Sequence, residues 1–263
     1  MQLRPAPDEI VGVIPAGGQA VRIAPLPCSK EIYPIGFQGA NDALAGRPKT
    51  VVHYLLEKMR SAGVSTVYFV IRPGKWDIPA YFGDGSMLKM HFAYLMLGDP
   101  SGVPFTLDQA YPFVERSAVA FGFPDILFDA DDAFLKLRER NAAHDADVTL
   151  GLTPAAGASS KEDRAVLGDR GVVQDMVLRP DESGLNYSWV AAVWRPGFTQ
   201  FLHEFVASKK SVAPQAAELS AGHVIRAAIH AGLRVDSVVV SDRPYLDIGT
   251  PEGLRRAFFL YQR

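Results

Sequence analysis

The sequence predicts an α/β chain with a largely parallel central sheet, and three observations predict it. An apolar run from Val11 breaks into Pro15-Ala16-Gly17-Gly18, the profile of a buried strand ending in a tight loop. Strand-like and helix-spaced segments then alternate along most of the chain, the order expected of β-α-β crossovers. Short connections marked by glycine and proline separate them, with no repeat, low-complexity tract or interdomain linker. At 263 residues and 48% hydrophobic, the chain can bury a large core within one domain.

The elements follow in order. The apolar positions Val51, Val52, Leu55, Leu56 and Met59 recur at helical spacing, and Gly63 follows where a C-terminal cap belongs. Val64–Ile71 and Phe92–Leu97 read as strands, with Gly83-Asp84-Gly85 between them. Ser117–Gly122 is a further short apolar run, trailed by Phe123-Pro124-Asp125, and a helix is predicted from about Asp132 to Ala143. Val148–Leu152 and Ser188–Trp194 read as strands, and Gly171–Val177 as part of a hairpin, giving a small antiparallel patch in the second half. Helices over Pro196–Ala207 and Ala216–Ala231 precede a late strand, Arg234–Val240. The last helix, Thr250–Tyr261, opens with Thr-Pro-Glu, an N-cap followed by proline at the first helical position. Gly36–Gly46 is polar and glycine-rich, an expected exposed flap.

Composition narrows the function. A formal net charge of -2 offers no basic surplus of the kind nucleic-acid partners require. No apolar run approaches the ~18 residues of a membrane span, and the N-terminus lacks the apolar core of a signal peptide. A single cysteine, Cys28, excludes an internal disulfide. These point to a cytoplasmic protein without membrane attachment that handles a small anion. The six histidines are scattered without metal-ligand spacing, and Asp129, Asp131 and Asp132 lack the mid-loop glycine of a calcium loop, so they read as a solvated helix cap.

The first loop carries the chemistry. Gly17 and Gly18 let the backbone approach a ligand closely, Arg22 is a bidentate donor suited to phosphate oxygens, and Lys30 supplies a compact movable charge. A glycine pair alone would equally suit an ordinary strand-to-helix turn. The order Gly17, Gly18, Arg22, Pro25, Leu26, Ser29, Lys30 and Pro34, however, resembles the LAGGxGxRLxPLT…SK…PV signature of the sugar-1-phosphate nucleotidyltransferases, the family of glucose-1-phosphate thymidylyltransferase. Ala20 replaces the third glycine, Val21 replaces threonine, and the interval from Arg22 to Lys30 is two residues shorter than is common.

The resemblance continues to the C-terminus. Ala118–Phe128 (AVAFGFPDILF) is similar to the family strand ending in Gly-Asp, with Asp125 on the metal position and Pro124 for glycine. Tyr245–Glu252 (YLDIGTPE) is similar to WLDTGTPE and supplies Asp247 as the second metal ligand. The resemblance therefore implies magnesium on Asp125 and Asp247, for which two carboxylates plus waters and phosphates suffice. It implies Arg22 and Lys30 as catalytic residues, and nucleotide contacts from Ala16, Gly17, Gly18, Leu97 and Gly102. Leu97 stands where thymidylyltransferases carry a base-reading glutamine. Arg179 replaces the lysine of a Glu-Lys-Pro sugar-phosphate clamp, whose acid is lost to Leu178.

The resemblance thus implies one nucleotidyltransferase domain over residues 1–263, a Rossmann-like α/β/α sandwich. It would join a nucleoside triphosphate to a sugar 1-phosphate, or another phosphorylated metabolite, and leaves a homo-oligomer open. The alternative is a non-catalytic nucleotide- or sugar-nucleotide-binding module of the same fold, which Ala20, Val21 and Leu178 favour and the retained Arg22, Lys30, Asp125 and Asp247 oppose. A nicotinamide dehydrogenase fails on pattern, because Gly-x-Gly-x-x-Gly is absent and a proline-rich loop replaces the first helix.

Overall fold

A computed structural model describes residues 9–39, 45–98, 102–155, 162–179, 184–210 and 218–261. The described strands and helices, in order, are β1 (Ile10–Ala16), β2 (Pro34–Phe37), β3 (Pro48–Thr50), α1 (Val51–Ser61), β4 (Thr66–Ile71), α2 (Asp77–Phe82) and β5 (His91–Met96). They continue with α3 (Val103–Asp108), α4 (Tyr111–Val114), β6 (Ala118–Gly122), β7 (Ile126–Leu127), α5 (Ala133–His144), β8 (Val148–Pro154), β9 (Arg164–Leu167) and β10 (Val173–Val177). The last are β11 (Tyr187–Trp194), α6 (Pro196–Lys210), α7 (Ala221–His230), β12 (Val235–Val239), β13 (Leu246–Asp247) and α8 (Pro251–Leu260).

The predicted α/β architecture is present. The central sheet has β5, β4, β1 and β6 side by side and parallel, then β11 antiparallel to β6. Beyond β11, β8 pairs antiparallel along its whole length and β12 pairs parallel to β8. Ser188 pairs with Thr153 on one edge of β11 and with Arg164 on the other, while Ala191–Trp194 pair with β6. The edge of β11 is thus shared end to end by β6 and β9, and the β9–β10 hairpin is the antiparallel patch.

Side-chain alternation along β1 explains the layers. Ile10, Ile14 and Ala16 enter a core with Leu55, Leu56 and Met59 of α1 and Phe134 and Leu137 of α5. Val11 and Val13 face the opposite core with Leu107 of α3, Phe198 and Leu202 of α6 and Val224 of α7. Helices cover both sheet faces because both are apolar.

The structure adds elements that periodicity did not signal. The helices α2, α3 and α4 have six, six and four residues, too short to show a helical repeat, and α3 and α4 carry proline in the first turn, where the ring is tolerated. The third predicted strand is shifted by one residue, so Leu97 lies just beyond β5. The expected flap begins within β2 and ends just before β3, and its residues 40–44 lie outside the described residues, as do 216 and 217 of the helix predicted from Ala216.

Candidate active site

β1 ends at Ala16, buried, and the chain then runs through two single 3₁₀ turns, Val21–Ile23 and Lys30–Ile32, instead of a helix. Ala20, where the resembled family has glycine, adopts φ 55 and ψ 29. The left-handed turn is kept although the glycine is not, at a cost of about 1–2 kcal/mol for a residue with a Cβ. The path returns Lys30 toward the sheet, and a Cβ at Gly18 would lie 3.5 Å from Lys30 Nζ.

The two predicted acids arrive from distant segments and are held side by side. β7 and β13 pair antiparallel, Leu246 opposite Leu127 and Asp247 opposite Ile126, and the Ile248 N–H donates to the Asp125 carbonyl at 3.0 Å. The Thr250 hydroxyl donates to the Asp247 carbonyl at 2.8 Å and accepts from the Gly253 N–H at 3.1 Å, so the cap of α8 also anchors the backbone of Asp247.

Each acid meets one of the predicted cations. Lys30 Nζ donates to Asp125 Oδ2, and Arg22 Nη2 donates to Asp247 Oδ2 at 3.0 Å. The Gly249 N–H holds Asp247 Oδ1 at 2.8 Å. A Cβ at Gly249 would lie 2.9 Å from Asp247 Oδ1, 3.1 Å from Arg22 Nη2 and 3.3 Å from Asp125 Oδ2. That empty position is where both carboxylates and the guanidinium converge, and only glycine leaves it open.

The electrostatics follow from burial and these pairs. Burial opposes ionisation of Asp125, but the Lys30 ammonium outweighs it and holds the carboxyl below its usual range. For Asp247, burial and then the Asp125 charge raise the carboxyl above that range, and Arg22 offsets them only in part. Burial alone would lower Lys30, whereas Asp125 and Glu31 hold it above its ordinary value. Two adjacent carboxylates of which one is disfavoured as an anion form a donor set that a small hard cation would relieve, and magnesium takes one or two carboxylates with waters and phosphates. Asp125 and Asp247 fit that requirement. Among the described residues no cluster of three or more acid, histidine or cysteine ligands exists.

A cleft of about 950 Å³ opens beside this point, lined by Arg22, Asp125, Asp247 and Arg179 together with Trp189 and Tyr245. The structure therefore brings four of the predicted site residues to one space. Lys30 stands behind Asp125 rather than on the cleft wall. Ala16, Gly17, Gly18, Leu97 and Gly102 do not line it either. Leu97 is buried, and a Cβ at Gly17 would come within 2.8 Å of Leu97 Cδ2, so this leucine packs under the glycine loop. Gly102, at φ 122, forms a bridge with Leu219, and a Cβ there would strike the Leu219 carbonyl at 2.3 Å. Arg179 is exposed at φ 45, its N–H donating to Asp163 Oδ1 at 3.3 Å.

Sequence reasoning did not single out the cleft's other acids, Glu162, Asp163, Glu218 and Glu252. Glu162 and Asp163 line the cleft, Glu162 bound by the hydroxyl of Ser188, and Asp163 accepting also from the Gly222 N–H at 3.2 Å. Nothing in their sequence context distinguished them from surface acids. Gly249 lay within the C-terminal motif but was not singled out.

The chain superposes on a Bacillus anthracis protein assigned as a glucose-1-phosphate thymidylyltransferase, solved with sucrose, at a TM-score of 0.78 over 96% of this chain and 95% of that one, with 18% identity. A UDP-glucose pyrophosphorylase complexed with UDP-glucose matches at a TM-score of 0.76 over 97% and 98%, with 17% identity. The chain shares the fold of these two proteins. By sequence the chain is 24% identical over 255 residues to a low-salt glycan biosynthesis nucleotidyltransferase of Haloferax volcanii, covering 94% of this chain and 64% of that relative's length. No protein-family model matches. The nucleotidyltransferase likeness read from the loop and the YLDIGTPE motif is thus met again in the fold and in a whole-chain sequence match. Among the described residues no helix is long and apolar enough to cross a membrane.

Proposed function

We propose that the protein is a nucleotidyltransferase that joins a nucleoside triphosphate to a sugar 1-phosphate, releasing pyrophosphate. The observation that carries the reading is the meeting of two cation–carboxylate pairs, Arg22 with Asp247 and Lys30 with Asp125, around the open position at Gly249. Nucleotide-sugar formation needs such an arrangement, because its barrier lies in bringing polyanions together and stabilising charge on the leaving group.

In the proposed reaction an acceptor phosphate oxygen forms a bond to the α-phosphorus, the bond from that phosphorus to the bridging oxygen breaks, and the electron pair leaves with pyrophosphate. No general base is needed, since a phosphate monoester with a second pKa of about 6 is already mostly dianionic at neutral pH. Arg22, the more exposed cation, moves from Asp247 to the departing pyrophosphate oxygens. Lys30 leaves Asp125 to hold the reacting phosphates. Arg179 faces the acceptor phosphate from the cleft wall, and a nucleotide extending past the cleft toward the loop after β1 would meet the main-chain groups of Gly17, Gly18 and Gly102. Magnesium on Asp125 and Asp247 would supply neutralisation of phosphate charge.

The test is to incubate the protein with magnesium and each common nucleoside triphosphate against a panel of sugar 1-phosphates, and to measure pyrophosphate release. Release with at least one pair supports the reading. Binding of nucleotide sugars without release across the panel supports a non-catalytic module instead.

A further inference from the structure

Behind the cation that faces Asp125 lies a second, deeper ion pair. Lys75 Nζ donates to Glu31 Oε1 at 2.6 Å, and both side chains are almost fully buried. The same two segments are joined again two residues away, where the Ser29 N–H and hydroxyl donate to the two oxygens of Asp77 at 2.6 and 2.7 Å. Three hydrogen bonds thus fasten the turn that carries Lys30 to the connection between β4 and α2. Glu31 and Lys30 are consecutive in a single 3₁₀ turn, and the charges run in alternating sign from Asp125 through Lys30 and Glu31 to Lys75.

The arrangement has a competition built into it. Lys30 feels two anions, Asp125 on the cleft side and Glu31 on the buried side. Glu31 keeps one oxygen, Oε2, buried and without a hydrogen-bond partner, while Lys75 donates to the other, Oε1, from a segment 44 residues away. An uncompensated buried carboxylate attracts any cation within reach far more strongly than a solvated one. If Lys75 did not neutralise Glu31, the nearest mobile ammonium would be Lys30.

We propose that Lys75 is a positioning residue: by satisfying Glu31 it keeps the Lys30 ammonium on the Asp125 side, where the reacting phosphates would lie, with the Ser29–Asp77 bonds fixing the turn between them. The inference rests on the proposed function for the role of Lys30, but the placement of Lys30 is testable without it.

The experiment uses the full chain carrying Lys75→Met, Lys75→Arg, and the double change Lys75→Met with Glu31→Gln. Kinetics are measured with the best wild-type nucleotide and acceptor, and thermal melting is followed in parallel. The expected result for Lys75→Met is a fall of ten-fold or more in kcat, with the KM for the acceptor within about three-fold. Lys75→Arg, which keeps the charge, and the double variant, which removes the anion to be neutralised, should both return kcat to within about three-fold of wild type. A folded Lys75→Met with wild-type kcat overturns the proposal. So does a double variant that melts normally yet stays ten-fold slow, and that variant decides alone if Lys75→Met does not fold. Should the wild type itself show no turnover, the functional reading fails separately. The positioning claim is then judged from crystal structures: Lys30 Nζ still on Asp125 in Lys75→Met, or displaced from it in the double variant, overturns it.

Discussion

Arg22 and Asp247, separated by 225 positions in sequence, meet through a single hydrogen bond of 3.0 Å in which the guanidinium side chain is 58% exposed and the carboxylate 27%. Such an exposed pair contributes about 0–1 kcal/mol to stability. Arg22→Ala should therefore leave melting nearly unchanged while lowering turnover at least ten-fold, with little change in acceptor affinity. Affinity for the acceptor collapsing while saturated turnover holds would place Arg22 at the acceptor rather than the leaving group.

Asp125→Asn and Asp247→Asn should each slow single-turnover chemistry ten-fold or more, a loss of at least ~1.4 kcal/mol of transition-state stabilisation. They should differ in stability. Asp125 neutralises Lys30 at 13% exposure, so its loss strands a largely buried cation and costs on the order of 1–3 kcal/mol, whereas Asp247→Asn removes a charge that burial already disfavours. Denaturant titration of both variants decides this, and equal stabilities would contradict the assigned pairing.

Gly249→Ala should fill the space where the three side chains converge. The predicted outcome is a several-fold higher magnesium concentration for half-maximal activity, with the α8 cap and overall melting retained. An unchanged magnesium dependence would mean that the space is not used for the cation.

Leu97, buried beneath Gly17, has no donor or acceptor to offer a base edge, so nucleotide choice falls to main-chain groups. Apolar contacts discriminate by about 1–3 kcal/mol. Either the preferred base is not thymine, or the best and second-best nucleotides differ by less than about a hundred-fold in kcat/KM. Exclusive use of the thymidine nucleotide would refute this.

The acid limb of stability should separate the two carboxylates. Asp125 ionises below its ordinary range in the folded chain, so its contribution is complete above pH ~4 and is lost as pH falls through its folded value. Asp247 ionises above that range, so the folded state is penalised at neutral pH and relieved as pH falls toward ~4. Unfolding free energies at pH 7, 5 and 3.5 should lose less on acidification below pH 4 in Asp125→Asn than in wild type, and the same loss in both would remove Asp125 from that role.

The loop after β1 and the C-terminal acid motif were legible in the sequence because their residues are unusual where they stand: paired glycines after an apolar run, a proline-rich path in place of a helix, and Asp-Ile-Gly-Thr-Pro before an amphipathic segment. The sheet was legible from alternation that served two apolar faces. The Lys75–Glu31 pair was not, since a lysine and a glutamate 44 residues apart look the same in sequence whether solvated or buried together. The same limit applied to Asp131, read as part of a solvated cap. Its side chain is fully exposed yet accepts from Lys58 Nζ at 2.9 Å, and Asp132 pairs with Lys136 at 3.0 Å one helical turn on. Trp189 lies in a segment read as a strand, and the fold makes it both a core side chain at 7% exposure and part of the cleft wall, because β11 lies where the sheet meets the cleft.

The cations beside the cleft are already satisfied before any ligand arrives, and this makes the site selective in a second sense. A simple anion such as free phosphate that drew Lys30 off Asp125, or Arg22 off Asp247, would leave that carboxylate crowded against its neighbour. Under the proposed function, a ligand that brought its own divalent cation would release both acids as it took both bases, so the exchange would favour the complete complex. Free phosphate should therefore be a weak competitor against the metal–nucleotide complex, and tight inhibition by phosphate alone would show that the pairs open freely.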